Sequence, residues 1–357
     1  MATLDRPLQS HAVERRRERP AGSARFDLGV ALLSLWFMVG IFVDGWAHNH
    51  GAVDNTFFTP YHALLYSGIL ATGLFLGIHQ YRSIGKGYAF SRALPYGYNL
   101  SLIGVALFFI GGGFDFVWHS IFGFEANLSI LLSPAHLVLA TAGFLIMSGP
   151  LRAAWRRTNV APTWANLLPV VLALLMIISV MTFFTQFANA FARADGFAGA
   201  FPPGDRSYSD ALGVAVVLFT STITMGVLLF GLRRWKLPFG AITLILAVNA
   251  VGMMLILWKN TTPWYVIAAP ILAGLLGDVL LRVLKPSREH PLALRVFAFA
   301  VPFALYLIYF VLLITRAGIW WPIHMWLGVT FFAAVTSVFL SYLALPPALP
   351  SESESAL

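Results

Sequence analysis

The sequence predicts an all-α fold, a polytopic transmembrane bundle of about ten spans, and three observations carry that prediction. Hydrophobic residues make up 59% of the 357 positions and charged residues only 11%, where a soluble chain averages roughly a quarter charged. Apolar runs of about twenty residues, the length that crosses a hydrocarbon core, recur from one end of the chain to the other. The basic residues alternate between successive loops, as the positive-inside rule expects of an oriented membrane protein.

In order, residues 1–24 are polar and arginine-rich, with Glu14-Arg-Arg-Arg-Glu-Arg19, and read as a disordered basic cytoplasmic arm. The apolar run that follows is span-length and carries no small-residue cleavage site before Asp44, so it reads as an uncleaved anchor rather than a signal peptide. A transmembrane domain over 25–346 then holds spans expected at 26–47, 60–81, 97–119, 130–151, 164–186, 210–232, 238–258, 263–284, 293–315 and 321–345. The even loops carry Arg82, Lys86 and Arg92, then Arg152, Arg156 and Arg157, then Arg233, Arg234 and Lys236, then Arg282, Lys285, Arg288 and Arg295. The odd loops carry few basic residues, which puts both termini in the cytoplasm and the odd loops outside. The longest outer loop, 187–209, is rich in phenylalanine and reads as an interfacial segment or a lid. A disordered tail, 347–357, closes the chain.

Composition also excludes. With no cysteine there are no disulfides, thiolate zinc sites, iron–sulfur clusters or thiol catalysis. The net charge of +8 lies in loops that orient the chain and meet anionic lipid, so the expected partner is the bilayer and not a nucleic acid.

One stretch breaks the apolar monotony twice. Phe42-Val-Asp-Gly-Trp-Ala-His48 followed by Phe57-Phe-Thr-Pro-Tyr-His62 recurs as Phe114-Asp-Phe-Val-Trp-His119 followed by Leu131-Leu-Ser-Pro-Ala-His136. Asp44 and His48 are offset from Asp115 and His119 by 71 residues, and His62 from His136 by 74. Both copies start inside and run outward, so 25–85 and 95–157 read as helical hairpins (spans 1–2 and 3–4) in a parallel internal repeat about an axis along the membrane normal. Positions i and i+4 share a helix face, so each Asp-x3-His pair can address one point.

Ionisable groups in a membrane are costly, and six of them on one side at a doubled spacing point to a functional site. Two carboxylates and four imidazoles suit a transition metal, and copper is favoured over iron and zinc for an extracytoplasmic site with N/O ligands. The expected ligands are Asp44, His48 and His62 for one metal and Asp115, His119 and His136 for a second; a single closed six-ligand site stays open as an alternative. His324, in the Pro322-Ile-His324 echo at span ten, and His50 and Glu125 are further candidates. Asp278 reads as an i,i+4 ion pair with Arg282. Gly111-Gly-Gly113 reads as close helix packing or a local unwinding beside the site.

The Asp44-x3-His48…His62 pattern resembles that of the C subunit of particulate methane and ammonia monooxygenases. It covers about twenty residues per copy, and the resemblance implies a copper site in the membrane, an oxidoreductase activity and partner subunits. The His-to-His spacings of 14 and 17 depart from that family, as does the doubling. The Asp-Gly-Trp-Ala-His…Thr-Pro-Tyr-His wording is also similar to multi-pass bacterial membrane proteins of unassigned function, which implies a bacterial cytoplasmic membrane.

The leading expectation is therefore a membrane metalloprotein, an oxidoreductase acting on dioxygen or on a lipophilic small molecule from the bilayer, alone, as a homo-oligomer or with partner subunits. A transporter for metal, protons or a small substrate is the second reading, and a zinc-dependent lipid hydrolase the third. Haem held by His62 and His136 is a fourth, and it leaves the Asp-x3-His pairs without a role.

Overall fold

A computed structural model describes residues 18–52, 59–123, 131–158, 160–200, 204–287 and 290–346. Most of the basic arm, the tail 347–357 and Glu125 lie outside the described residues. The described chain is helical, with no β-strand beyond one isolated bridge between Ala198 and Ile319. Its helices are α1 (Ala24–Asn49), α2 (Pro60–Gly85), α3 (Asn99–Phe122), α4 (Pro134–Met147), α5 (Gly149–Trp155) and α6 (Trp164–Phe184). They continue as α7 (Arg206–Leu232), α8 (Ala241–Ile256), α9 (Ala268–Leu284), α10 (Pro291–Arg316) and α11 (Ile323–Ala344).

Eight helices among the described residues are long and apolar enough to cross a membrane: α1, α2, α3, α6, α7, α9 with its leading 3₁₀ turn, α10 and α11. The α4–α5 pair, bent by 41°, makes a ninth if it is one span. Helix α8 has 16 residues, about 24 Å at 1.5 Å per residue, and falls short of a hydrocarbon core of about 30 Å. Large apolar side chains such as Ile110, Phe122, Val283 and Leu343 remain exposed, which suits lipid contact rather than water.

By its contacts the chain forms two compact units, Met1–Thr185 with Leu255–Leu257 and Gln186–Met254 with Trp258–Leu357. In the first, α1 and α2 touch through backbone. A Cβ on Gly40 would lie 2.6 Å from the Cα of Leu65, and one on Gly68 the same distance from the Cα of Phe37. Helices α3 and α4 approach the same way at Gly104, where a Cβ would lie 2.8 Å from the carbonyl oxygen of Ala142. Small residues do this in membranes because packing, not hydrophobic burial, drives helix association. Phe37 joins the two hairpins: it is fully buried, meets Phe108 of α3 edge-on at 5.1 Å and lies against Gly143 of α4. Helix α6 packs Leu172, Met176 and Val180 into the same core.

The α4–α5 bend has a local cause. Pro150 has no N–H to give the carbonyl of Ile146, one turn back. The carbonyls at the break find other donors: Ser101 Oγ reaches Leu145 O at 3.2 Å and Ile146 O at 3.4 Å, and Arg152 Nη2 reaches Leu145 O at 2.7 Å. At the same end of the unit Asp27, fully buried, accepts from Tyr98 Oη at 2.6 Å and pairs with Arg157.

The second unit corrects one expectation. Asp278, 1% exposed, directs its carboxylate at the start of α8 rather than at Arg282. It accepts from the N–H groups of Ile242 at 3.1 Å and Thr243 at 3.0 Å, and from Thr243 Oγ1 at 2.7 Å. Gly274, one turn earlier on α9, lets that helix end approach: a Cβ there would lie 2.5 Å from the Cα of Thr243. Orphan N–H groups at a helix start recruit an anion more strongly than an i+4 arginine free to snorkel. Arg282 lies instead over the Phe239 ring, 5.6 Å from its centroid.

The segment after α6 is folded into this unit's interior and is not a passive surface loop over its described part. Asn189 Oδ1 accepts from the N–H of Phe191 and of Ala192, Thr220 Oγ1 from that of Ala190, and Tyr309 donates to Ala190 O at 2.7 Å. Phe191 and Phe197 are buried beside Tyr309, with Phe197 also against Phe310 and Trp321.

Candidate metal centre

All six residues of the doubled motif lie in the first unit, at neighbouring ends of α1 to α4. The Asp-x3-His pairs occupy the last two turns of α1 and the C-terminal half of α3, with Asp and His one turn apart. The partner histidines come from helix starts. Thr59 is the N-cap of α2, Pro60 its first residue, and the Thr59 hydroxyl accepts the backbone N–H of His62 at 3.1 Å. Ser133, Pro134 and His136 repeat this on α4, where the hydroxyl accepts the His136 N–H at 3.3 Å. The wording Ser/Thr-Pro-x-His is thus a cap, a helix-starting proline and an imidazole fixed in the first turn.

The side chains converge in two sets. His48 Nε2 lies 3.8 Å from Asp44 Oδ2, and His62 Nε2 lies 3.4 Å from Asp44 Oδ1. In the second set His119 Nε2 lies 3.5 Å and His136 Nδ1 3.6 Å from Asp115 Oδ1. Within each set the three possible ligand atoms lie within 4.8 Å of one another. The six therefore group as three and three rather than as one cluster, which favours two three-ligand sites over a single closed one.

The separations are informative. Each exceeds the usual N–H···O range of about 2.7–3.2 Å. Three ligand atoms about 2.1 Å from a tetrahedral ion would stand roughly 3.4 Å apart, which is close to what is seen. Asp44 Oδ1 and Asp115 Oδ1 are both buried, and neither receives a hydrogen bond. A buried carboxylate oxygen with no donor is costly unless a cation meets it. The residues present thus fit a transition metal by donor type, spacing and the orphaned oxygens.

Surrounding contacts orient the rings. His119 Nδ1 lies 3.2 Å from Gly123 O, the kind of backbone contact that fixes an imidazole for ligation. His136 Nδ1 lies 2.7 Å from Ser133 Oγ, so the same nitrogen faces both the cap and Asp115.

Neither His50 nor His324 belongs to these two groups. His50 is exposed at the end of α1, its Nδ1 2.7 Å from Trp46 O and its ring stacked on Trp46. His324 lies in the exposed first turn of α11, in the second unit. Gly111-Gly-Gly113 continues α3 without unwinding; a Cβ at Gly111 would press on Leu139 and Val138 of α4. The sequence reading passed over Tyr66, whose ring lies 5.9 Å from that of His62. Its i+4 relation to His62 was the available signal.

Comparison with family models, with curated proteins and with solved structures yields no match.

Proposed function

We propose that this chain is an integral membrane metalloprotein with two Asp/His₂ metal positions, and that it is a copper-dependent oxidoreductase acting on dioxygen or on a lipophilic molecule that enters from the bilayer. The observation that carries the reading is the pair of buried carboxylate oxygens without a hydrogen bond, Asp44 Oδ1 and Asp115 Oδ1, in carboxylates that each have two imidazoles at 3.4–3.8 Å. Copper is favoured over iron and zinc because the ligands are imidazole and carboxylate and the motif ends lie at the outer side by loop charge.

In this reading the chain has ten spans, counting bent α4–α5 and short α8, with both termini on the cytoplasmic side of a bacterial inner membrane. The α1–α2 and α3–α4 hairpins are copies of one unit, each supplying one metal position. Three protein ligands would leave open positions on a metal held there, which would supply Lewis-acid or redox chemistry. What the chain itself contributes is placement. Helical spacing sets each Asp-x3-His pair, and the Thr59 and Ser133 caps set the third ligand.

Transport is the weaker reading on one observation: Asp278, the deep acid a path would use in the second unit, has both oxygens committed to the start of α8. Elemental analysis of the purified full-length chain tests the proposal. Two transition-metal ions per chain are expected, lost in the His48→Ala/His119→Ala double variant. No bound metal, or unchanged loading in that variant, ends it.

A further inference from the structure

Between the two triads stands one more polar group with no assigned role. Tyr66 follows His62 by four residues and so shares its face of α2. Its ring also meets that of Phe108 on α3 at 6.2 Å. Its hydroxyl lies against Gly112, where a Cβ would be 4.0 Å from the oxygen. Gly112 precedes Asp115 by three residues and shares that acid's face of α3. The phenol therefore extends from the helix of the first triad to the helix of the second. Both Asp115 and Asp44 are near enough for their charges to act on it. No hydrogen bond from a described residue reaches the hydroxyl. The residue is only partly buried, so its hydroxyl is left to donate to a bound ligand.

Charge balance suggests the missing partner. Each triad offers one carboxylate and two imidazoles, so a divalent ion in each would leave two net positive centres. Such a pair, buried at a membrane's edge, attracts an anion to the open positions between them. Gly112, having no side chain, keeps that space clear. We propose that Tyr66 donates a hydrogen bond to a small anionic ligand held between the two metal positions, of the class of hydroxide, azide or a reduced dioxygen species. Tyr66 is then a binding residue for the ligand and not a metal ligand. The inference rests on the metal reading above.

Azide is the probe. The full-length chain in detergent is loaded with copper(II), and azide is titrated while its charge-transfer absorption to copper is followed. The wild type is expected to bind azide. Tyr66→Phe should keep two coppers per chain while binding azide about tenfold more weakly, the loss of one hydrogen bond to a charged acceptor. Gly112→Val, whose Cβ has room, should likewise keep copper and weaken azide by filling the space.

If Tyr66→Phe binds azide as the wild type does, or if the wild type holds copper but gives no azide band, this inference falls and the metal reading survives. If Tyr66→Phe loses copper as well, the hydroxyl serves the metal and the assignment is wrong. If the wild type holds no copper, both readings fall together.

Discussion

His62 Nε2, fixed in the first turn of α2, stands 3.4 Å from Asp44 Oδ1 near the end of α1, across a backbone contact made through glycine. Neither residue has a reason of its own to be there. One belongs to a helix start and the other to a helix end, and the Gly40 and Gly68 contacts bring those ends together.

Removing one ligand should therefore empty one position and leave the other. His62→Ala or Asp44→Asn is expected to lower copper from two to about one per chain, with His136→Ala or Asp115→Asn doing the same for the second set. Elemental analysis with each variant measures it. Loss of both coppers from a single substitution would mean that the sets form one site.

Protons compete with metal for imidazole nitrogen, so metal loading should fall as pH falls. The sign follows from the ligands: a protonated imidazole has no lone pair to give, and a neutral one does. Equilibrium dialysis against copper across the acid range gives the curve. Retention that rises on acidification would remove histidine from the ligand set.

Gly68→Leu should separate α1 from α2, because even its Cβ would lie 2.6 Å from the Cα of Phe37. Overpacking of this kind costs about 1–3 kcal/mol or more. Thermal unfolding in detergent should show the loss, and the copper at Asp44, His48 and His62 should weaken more than that at the second set. Gly113→Ala, where nothing lies within 4 Å of the added Cβ, is the matched control on α3.

Asp278→Ala should uncap α8 and leave the Ile242 and Thr243 N–H groups buried without an acceptor. The cost expected of a lost cap is about 1–2 kcal/mol, read as a lower unfolding temperature. Asp278→Asn keeps one acceptor oxygen and should lie between. Arg282→Ala should change stability little, since the arginine lies over Phe239 and not on Asp278.

Much of this architecture was legible because it is local. Hydropathy runs marked the eight long apolar helices, while the bent α4–α5 pair was read as one span from 130, and Thr59-Pro-Tyr-His62 marked the start of α2 at residue 60. Alternating loop charge could be read as a direction across the membrane. The six candidate ligands were named from i,i+4 spacing and from the doubling alone. What spacing could not carry were partners on other helices: Asp278 looked like half of an i,i+4 ion pair because only Arg282 was near in sequence. The Phe191 and Phe197 segment read as an interfacial segment or a lid because Thr220 and Tyr309, which satisfy its backbone, lie far along the chain.

The sequence by itself determined where the helices run and which residue types share one face, since a helix advances a fixed rise and rotation per residue. Only the tertiary structure decided that the six candidate residues group as two triads and that Tyr66 reaches from α2 toward Gly112 of α3. It also decided that Asp278 caps a helix and joins no ion pair with Arg282. Those outcomes depend on how closely whole helices approach one another. That is set by glycine contacts and side-chain volumes on facing surfaces, for which a linear sequence has no period.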